Sequence, residues 1–139
     1  MIEFTVYGEP VAQGRPKMTV INNRPVAYDP KRSRDFKGDV KRVAQDHVPE
    51  RMLQGALEVG IKVYRPIPKS FSKRKRALAM SGELLPTTKP DLKNYIAGVE
   101  DALEKMIYEN DSQIVRYTPD TGKYYGDPPR IEVSIKELG

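Results

Sequence analysis

Apolar and polar positions alternate at two places in this chain with the period of a half-buried strand. In "IEFTVYG", Ile2, Phe4 and Val6 alternate with Glu3, Thr5 and Tyr7. In "ALEVGIKVYRP", Leu57, Val59, Ile61 and Val63 alternate with Glu58, Gly60, Lys62 and Tyr64 until Pro66 ends the run. Elsewhere the period lengthens to that of a helix. Phe36, Val40, Val43, Ala44 and His47 recur at helical spacing after Asp29-Pro30, an N-cap followed by proline at the first helical position, so a helix is predicted over residues 30–48. The clearest helical stripe is Leu92, Tyr95, Ile96, Val99, Ala102, Leu103, Met106 and Ile107, which leaves Asn94, Ala97, Gly98, Glu100, Asp101, Glu104 and Lys105 largely outside it.

The remaining stretches connect these elements. "GEPVAQGRPK" predicts a Gly/Pro-rich connection and "NNRPVAY" a short strand after an Asn-Asn turn. "KSFSKRKRALAMSG" predicts a basic loop leading into a short helix closed by Gly82. "ELLPTTKP" reads as an extended linker, because Pro90 biases Lys89 away from helical geometry. "SQIVRYTP" and "RIEVSIKEL" read as strands joined across "DTGKYYGDPP". No repeat, low-complexity tract or linker divides the chain. The order of elements predicts a single α+β domain over residues 1–139, a mixed β-sheet with helices packed mainly on one face.

Composition narrows the class. The chain has 139 residues, enough for one modest core, with 38% hydrophobic and 31% charged residues, which is globular rather than disordered. No apolar run approaches a membrane span, and "MIEFTVYGEP" lacks the layout of a signal peptide. The absence of cysteine excludes a disulfide framework, a thiol nucleophile and a Cys-ligated zinc site, and fits a cytoplasmic protein. A net charge of +5 favours polyanionic partners, and its distribution says more. Residues 69–76 hold five cations and no acid. Residues 12–37 hold Arg15, Lys17, Arg24, Lys31, Arg32, Arg34 and Lys37 against two acids. Residues 100–111 instead hold Glu100, Asp101, Glu104, Glu109 and Asp111, opposed only by Lys105. Basic flanks around an acidic centre are what a metal-dependent enzyme acting on nucleic acid needs, and they are also what solvated loops and helix faces look like.

Two aspartates carry the candidate chemistry. Asp91 stands at the start of the long helix, where its ordinary role is a cap contributing about 1 kcal/mol. Asp111, in "YENDSQ", follows that helix, where its ordinary role is an Asx-type turn. Two carboxylates from different elements are also the minimum for holding Mg²⁺, a hard ion that takes oxygen ligands and keeps several waters. Whether they meet depends on packing. No Walker loop, H-E-x-x-H or G-x-S-x-G is present, and His47, the only histidine, lies on an apolar stripe and reads as structural.

"KPDLKNYIAGVEDALEKMIYENDSQIV" resembles the core motif of the RusA family of Holliday junction resolvases. That motif reads approximately K-P-D-x-D-N, then an amphipathic helix containing D-A-L, then an acidic pair followed by x-Q-V. "GEPVAQGRPK" is similar to the family's opening and "PPRIEVSIKE" to its last strand, so the resemblance spans nearly the whole chain. It implies a small homodimeric endonuclease, often prophage-encoded, that binds four-way DNA junctions and nicks two strands using Mg²⁺ or Mn²⁺, in DNA recombination and repair. It implies Asp91 and Asp111 as metal ligands, Asn110 where relatives have the first acid of the pair, Asn94 as the motif Asn, and Asp101 as the Asp of D-A-L. Phosphate contacts would come from Arg15, Lys17, Lys69, Lys73, Arg74, Lys75 and Arg76, with junction selectivity from shape and dimer geometry. Tyr117, Tyr124 and Tyr125 suit core or dimer packing better than base stacking.

The chain departs from the pattern at Lys93, which occupies the position of the second metal-binding aspartate. An ammonium in place of a carboxylate changes the local charge by two units, and at about 4 Å each charge pair is worth about 4 kcal/mol at an effective dielectric near 20. Ala97 stands where some relatives carry a catalytic lysine, a role Lys93 could take over without restoring the lost ligand. Three accounts of Lys93 stay open. It inactivates the enzyme and leaves a junction binder; or Glu100, Asp101, Glu109 or water completes a one-metal site; or weak activity persists with Mn²⁺.

Overall fold

In a computed structural model the protein is described over residues 1–14, 17–28 and 30–139. The predicted α+β architecture is present: a mixed five-stranded sheet with its two longer helices on one face. Strands β1 (Ile2–Tyr7), β7 (Arg130–Glu137) and β4 (Leu57–Arg65) form its antiparallel part, with β1 at one edge. The far edge of β4 is shared by two short parallel strands. β5 (Ile114–Tyr117) pairs with its first residues and β6 (Gly122–Tyr125) with its last. Between them Thr121 Oγ1 accepts the Ile61 amide at 3.1 Å, so that buried donor of β4 stays satisfied where the neighbouring strands leave off.

The period-2 pattern explains the layering. Phe4 and Val6, Leu57, Val59, Ile61 and Val63, and Ile131, Val133 and Ile135 are all buried on one face. Against them pack Phe36, Val40 and Ala44 of α1 (Lys31–Ala44) and Tyr95, Val99, Ala102 and Leu103 of α3 (Leu92–Leu103). The other face carries Glu3, Glu58, Lys62, Glu132 and Ser134, the polar-out half of the alternation.

Five boundaries differ from the sequence pattern. Strand β2 (Lys17–Ile21) starts on the last residue of the predicted connection and runs through residues 18–21, to which the pattern assigns no element; it pairs with β3 (Arg24–Tyr28) through Asn22 and Asn23, whose φ of 52° and 62° suit a two-residue hairpin turn. Helix α1 begins at Lys31 with Pro30 as its N-cap, one residue later than the Asp29-Pro30 pattern predicts; Asp29 lies outside the described residues. The last turn of that stripe is a 3-10 turn, Gln45–His47, in which the His47 ring is exposed yet stacked on Phe4 with centroids 5.5 Å apart. Helix α3 stops at Leu103, because Glu104 is extended and Lys105 takes φ 70°. Ile107 is still buried, with its carbonyl accepting the Leu53 amide at 2.8 Å, so a tight turn continues the apolar stripe after the helix has ended. Strand β6 lies in the predicted connection "DTGKYYGDPP", where the Gly and Tyr residues carry no alternation and only pairing with β4 makes a strand. The predicted short helix is present as α2 (Lys73–Ser81), capped by Ser72 and closed by Gly82 at φ 84°.

Candidate active site

Helix α3 organises the site, and its two ends differ in chemistry. At the N-terminal end the loop before Asp91 is held by two cations. Arg65 Nη1 and Lys123 Nζ both donate to Thr88 O at 2.9 Å, and Lys123 also reaches Pro90 O at 3.1 Å. Asp91 is the N-cap by backbone conformation, its carbonyl accepting the Asn94 amide at 3.0 Å, but its side chain bonds no amide of the first turn. Its exposed carboxylate is therefore not consumed by capping. Lys93 is exposed on the same first turn, and Ala97 is half-buried one turn further on. Asn94 O accepts the Gln13 amide at 3.0 Å, which ties the N-terminal connection to this end of α3.

The C-terminal end gathers the acids. Glu100 accepts the hydroxyl of Tyr117, and burial pushes its carboxyl above the usual range, with Asp111 adding to the rise and Tyr117 opposing it. Asp101 pairs with the buried Lys37 of α1 at 2.7 Å. Glu104 Oε2 accepts the Asp111 amide at 3.1 Å. Asp111 itself is pushed up, first by burial and then by a hydrogen bond with Glu104, and its Oδ1 is buried without a hydrogen-bond partner among the described residues. Burial likewise pushes the Tyr108 hydroxyl up; it donates to Glu100 O at 2.9 Å. Glu109 is taken by Lys105 at 2.5 Å.

The turn that presents Asp111 is built by its neighbours. Asn110 Oδ1 accepts the Ser112 amide at 2.8 Å while Gln113 Oε1 accepts the Asn110 amide at 2.9 Å, a reciprocal capping box. Gln113 Nε2 then donates to Leu53 O and Gly55 O at 2.8 and 3.1 Å, fastening the turn to the chain ahead of β4. The side-chain turn role open to Asp111 in the sequence falls to Asn110, and the Asp111 carboxylate is left for something else.

Helix geometry separates the two aspartates. At about 1.5 Å per residue the twelve residues of α3 span roughly 18 Å. Asp91 precedes that span, and Asp111 touches Glu104, which follows it. Mg²⁺ holds its ligand oxygens at about 2.0–2.1 Å, so carboxylates at opposite ends of the helix do not share an ion. Among the described residues no group of three or more His, Cys, Asp or Glu could hold a metal ion. The described residues do not, within one protomer, make a ready divalent-cation centre.

The described basic candidates lie in α2 and the segment before it. Lys69, Lys73, Arg74, Lys75 and Arg76 are all exposed, the last four forming the first turn of α2. Arg76 is paired with Asp127 at 2.8 Å, and Lys75 lies over the Phe71 ring at 4.4 Å. Lys69, Lys73 and Arg74 have no carboxylate partner among the described residues. Arg15 and the side chain of Lys17 lie outside the described residues. The tyrosines pack within the chain: Tyr124 stacks on Tyr64 at 5.4 Å, and Tyr125 meets Phe71 edge-on at 5.6 Å. Sequence reasoning counted Lys37 only as one more cation and gave Tyr117 and Gln113 no part here. Lys37 does fall one turn before Val40 on the α1 stripe, which is the signal that could have marked it as buried.

Comparison with known proteins agrees with this frame. Residues 7–136 match the family model of endodeoxyribonuclease RusA. The chain is 49% identical over 139 residues to a Bacillus subtilis (strain 168) protein bearing the name "Uncharacterized protein YqaN", covering 99% of this chain and 96% of that one. A match that runs from the end of β1 into the last strand takes in the sheet apart from most of β1, and both ends of α3, and the chain belongs to the RusA family of endodeoxyribonucleases.

Proposed function

We propose that this protein acts on four-way DNA junctions in recombination and repair, as a cytoplasmic homodimeric endonuclease that nicks paired strands. The observation that carries the reading is the family match over residues 7–136. The motif assigns Asp91 and Asp111 to cleavage, with Mg²⁺ as the cation and Mn²⁺ as its substitute, although one protomer keeps the two carboxylates too far apart to share an ion. Lys69, Lys73, Arg74, Lys75 and Arg76, with Arg15 and Lys17, are assigned to the DNA backbone, where cations contribute affinity without reading sequence.

A second reading is a catalytically impaired junction binder, and two observations favour it. Lys93 stands in the first turn of α3 beside Asp91, where the motif carries an aspartate. The two assigned aspartates lie at opposite ends of that helix. Lys93 could instead offset charge on the reacting phosphate, which would make it a catalytic residue.

One experiment separates the readings. A synthetic four-way junction is incubated with Mg²⁺ or Mn²⁺ and the parent, Lys93→Asp and Asp91→Asn proteins. The nuclease reading expects paired nicks from the parent, lost in Asp91→Asn; if Lys93 obstructs the site, Lys93→Asp cuts at least tenfold faster. Equal rates for parent and Lys93→Asp would show that Lys93 obstructs nothing. Tight binding without cleavage by either would leave the binder as the function. Cleavage that survives Asp91→Asn would remove Asp91 from the site.

A further inference from the structure

Beside the N-terminal end of α3 lies a cleft of about 330 Å³ that none of the assignments above uses. We propose that it is a seat for a single DNA backbone phosphate, a site that rests on the junction-binding reading and extends it to named side chains. Two arginines from separate elements line it, Arg32 from the first turn of α1 and Arg65 from the last residue of β4. Neither has a carboxylate ion-pair partner among the described residues. Arg65 spends one N–H on Thr88 O and keeps the rest of its donor fork. Two like charges facing one cavity repel each other, and a bound anion offsets that repulsion. A planar guanidinium fork matches phosphate oxygens in geometry as well as in charge.

Tyr95 supplies an independent observation. Its side chain is almost wholly buried, at 2% exposure, yet it lines the cleft, and its hydroxyl has no hydrogen-bond partner among the described residues. Burial holds the phenol protonated, against the pull of Arg65 and helped by Glu9, so it stands there as an O–H donor. The hydroxyl is not among the fully buried polar atoms left without a partner, so it is the accessible tip of an otherwise buried ring, and an oxygen of the bound anion would be a partner for it.

Among the described residues Glu9 is the one acid of this lining, so there Arg32, Arg65 and Glu9 sum to one net positive charge. That balance suits a phosphodiester, which carries one negative charge, better than a terminal phosphate carrying about two. The position suits a strand held near the motif. Pro90, next to Asp91, forms part of the wall. Residues 66–72 lead from the cleft straight to the exposed cations of α2.

The test has two arms. In the first, anisotropy of a labelled four-way junction is followed over a salt series for the parent, Arg32→Gln, Arg65→Gln and, as a control from the far end of β7, Lys136→Gln. Each arginine variant is expected to flatten the slope of log K against log salt by about 0.9, with Lys136→Gln unchanged. Unchanged slopes in both arginine variants, while the parent binds, would overturn the seat and leave the junction reading intact. In the second arm, inorganic phosphate is titrated while the arginine Nε–H signals are followed by NMR. Saturable shifts of Arg32 and Arg65, tightened several-fold in Glu9→Gln, are expected even if the parent fails to bind junctions; absence of those shifts overturns the proposal. Arg65 also supports Thr88, so Arg32→Gln and Glu9→Gln, at side chains with no hydrogen bond or ion pair among the described residues, keep the outcome independent of the loop that Arg65 holds.

Discussion

Asp111 holds a carboxylate in a place that does not welcome one. Burial and the hydrogen bond with Glu104 favour its protonated form in the folded chain, so its folded pKa lies above the ordinary 3.8. The folded state then binds the proton more tightly than the unfolded state does, and stability falls as pH rises from the ordinary carboxylate range through the raised value. Glu100, raised by burial, acts in the same direction. Asp111→Asn is expected to melt a few degrees above the parent at pH 7.5 in metal-free buffer, with the difference closing toward pH 4; scanning calorimetry across that range measures it. A variant that melts lower at every pH would mean the carboxylate supports the fold instead of burdening it. Residues kept at such a cost are commonly ones that function needs. Asp120 shows the opposite sign. The Thr118 hydroxyl and Lys62 lower its pKa, so its contribution is present above the ordinary carboxylate range and lost as pH falls through the depressed value.

At the scale of elements, α3 and the turn after it form the working unit. Gln113 accepts two amides and donates to two carbonyls, so one side chain fixes the turn that carries Asp111. Gln113→Ala leaves four backbone groups to find water and is expected to cost about 2 kcal/mol, read by urea denaturation, with junction cleavage falling as the Asp111 turn loosens. Wild-type stability in that variant would show the turn to be held by other contacts. Lys37 and Asp101 tie α1 to this same end of α3. The linear pattern located α3 because its apolar stripe is regular over Leu92, Tyr95, Ile96, Val99 and Leu103. It ran past the true end because Met106 and Ile107 continue the stripe through a turn, and periodicity reports which side is buried, not which hydrogen bonds are made. The same limit hid β6, whose strand character comes from the edge of β4 and not from "GKYY" itself.

For the whole molecule, charge and association are the properties to measure. Among the described residues the β2–β3 hairpin pairs only with itself, and it leaves Met18, Val20, Ile21 and Val26 exposed, a surface that association with a second copy would cover. Light scattering is expected to return twice the 15.8 kDa of one chain, and a single-chain mass at micromolar concentration would remove the homodimer from the proposed function. The sequence by itself determined the strands β1, β4 and β7, the stripes of α1 and α3, the basic segments and the family motif, because each is a local pattern along the chain. It also exposed Lys93, since a departure from a motif is visible residue by residue. Only the tertiary structure decided that α3 keeps Asp91 and Asp111 at its opposite ends, that Asn110 and Gln113 free the Asp111 carboxylate, and that Arg32, Arg65 and Tyr95 face one cleft. Those relations join residues far apart in sequence, and they are set by how the helices seat on the sheet, for which no local pattern carries a record.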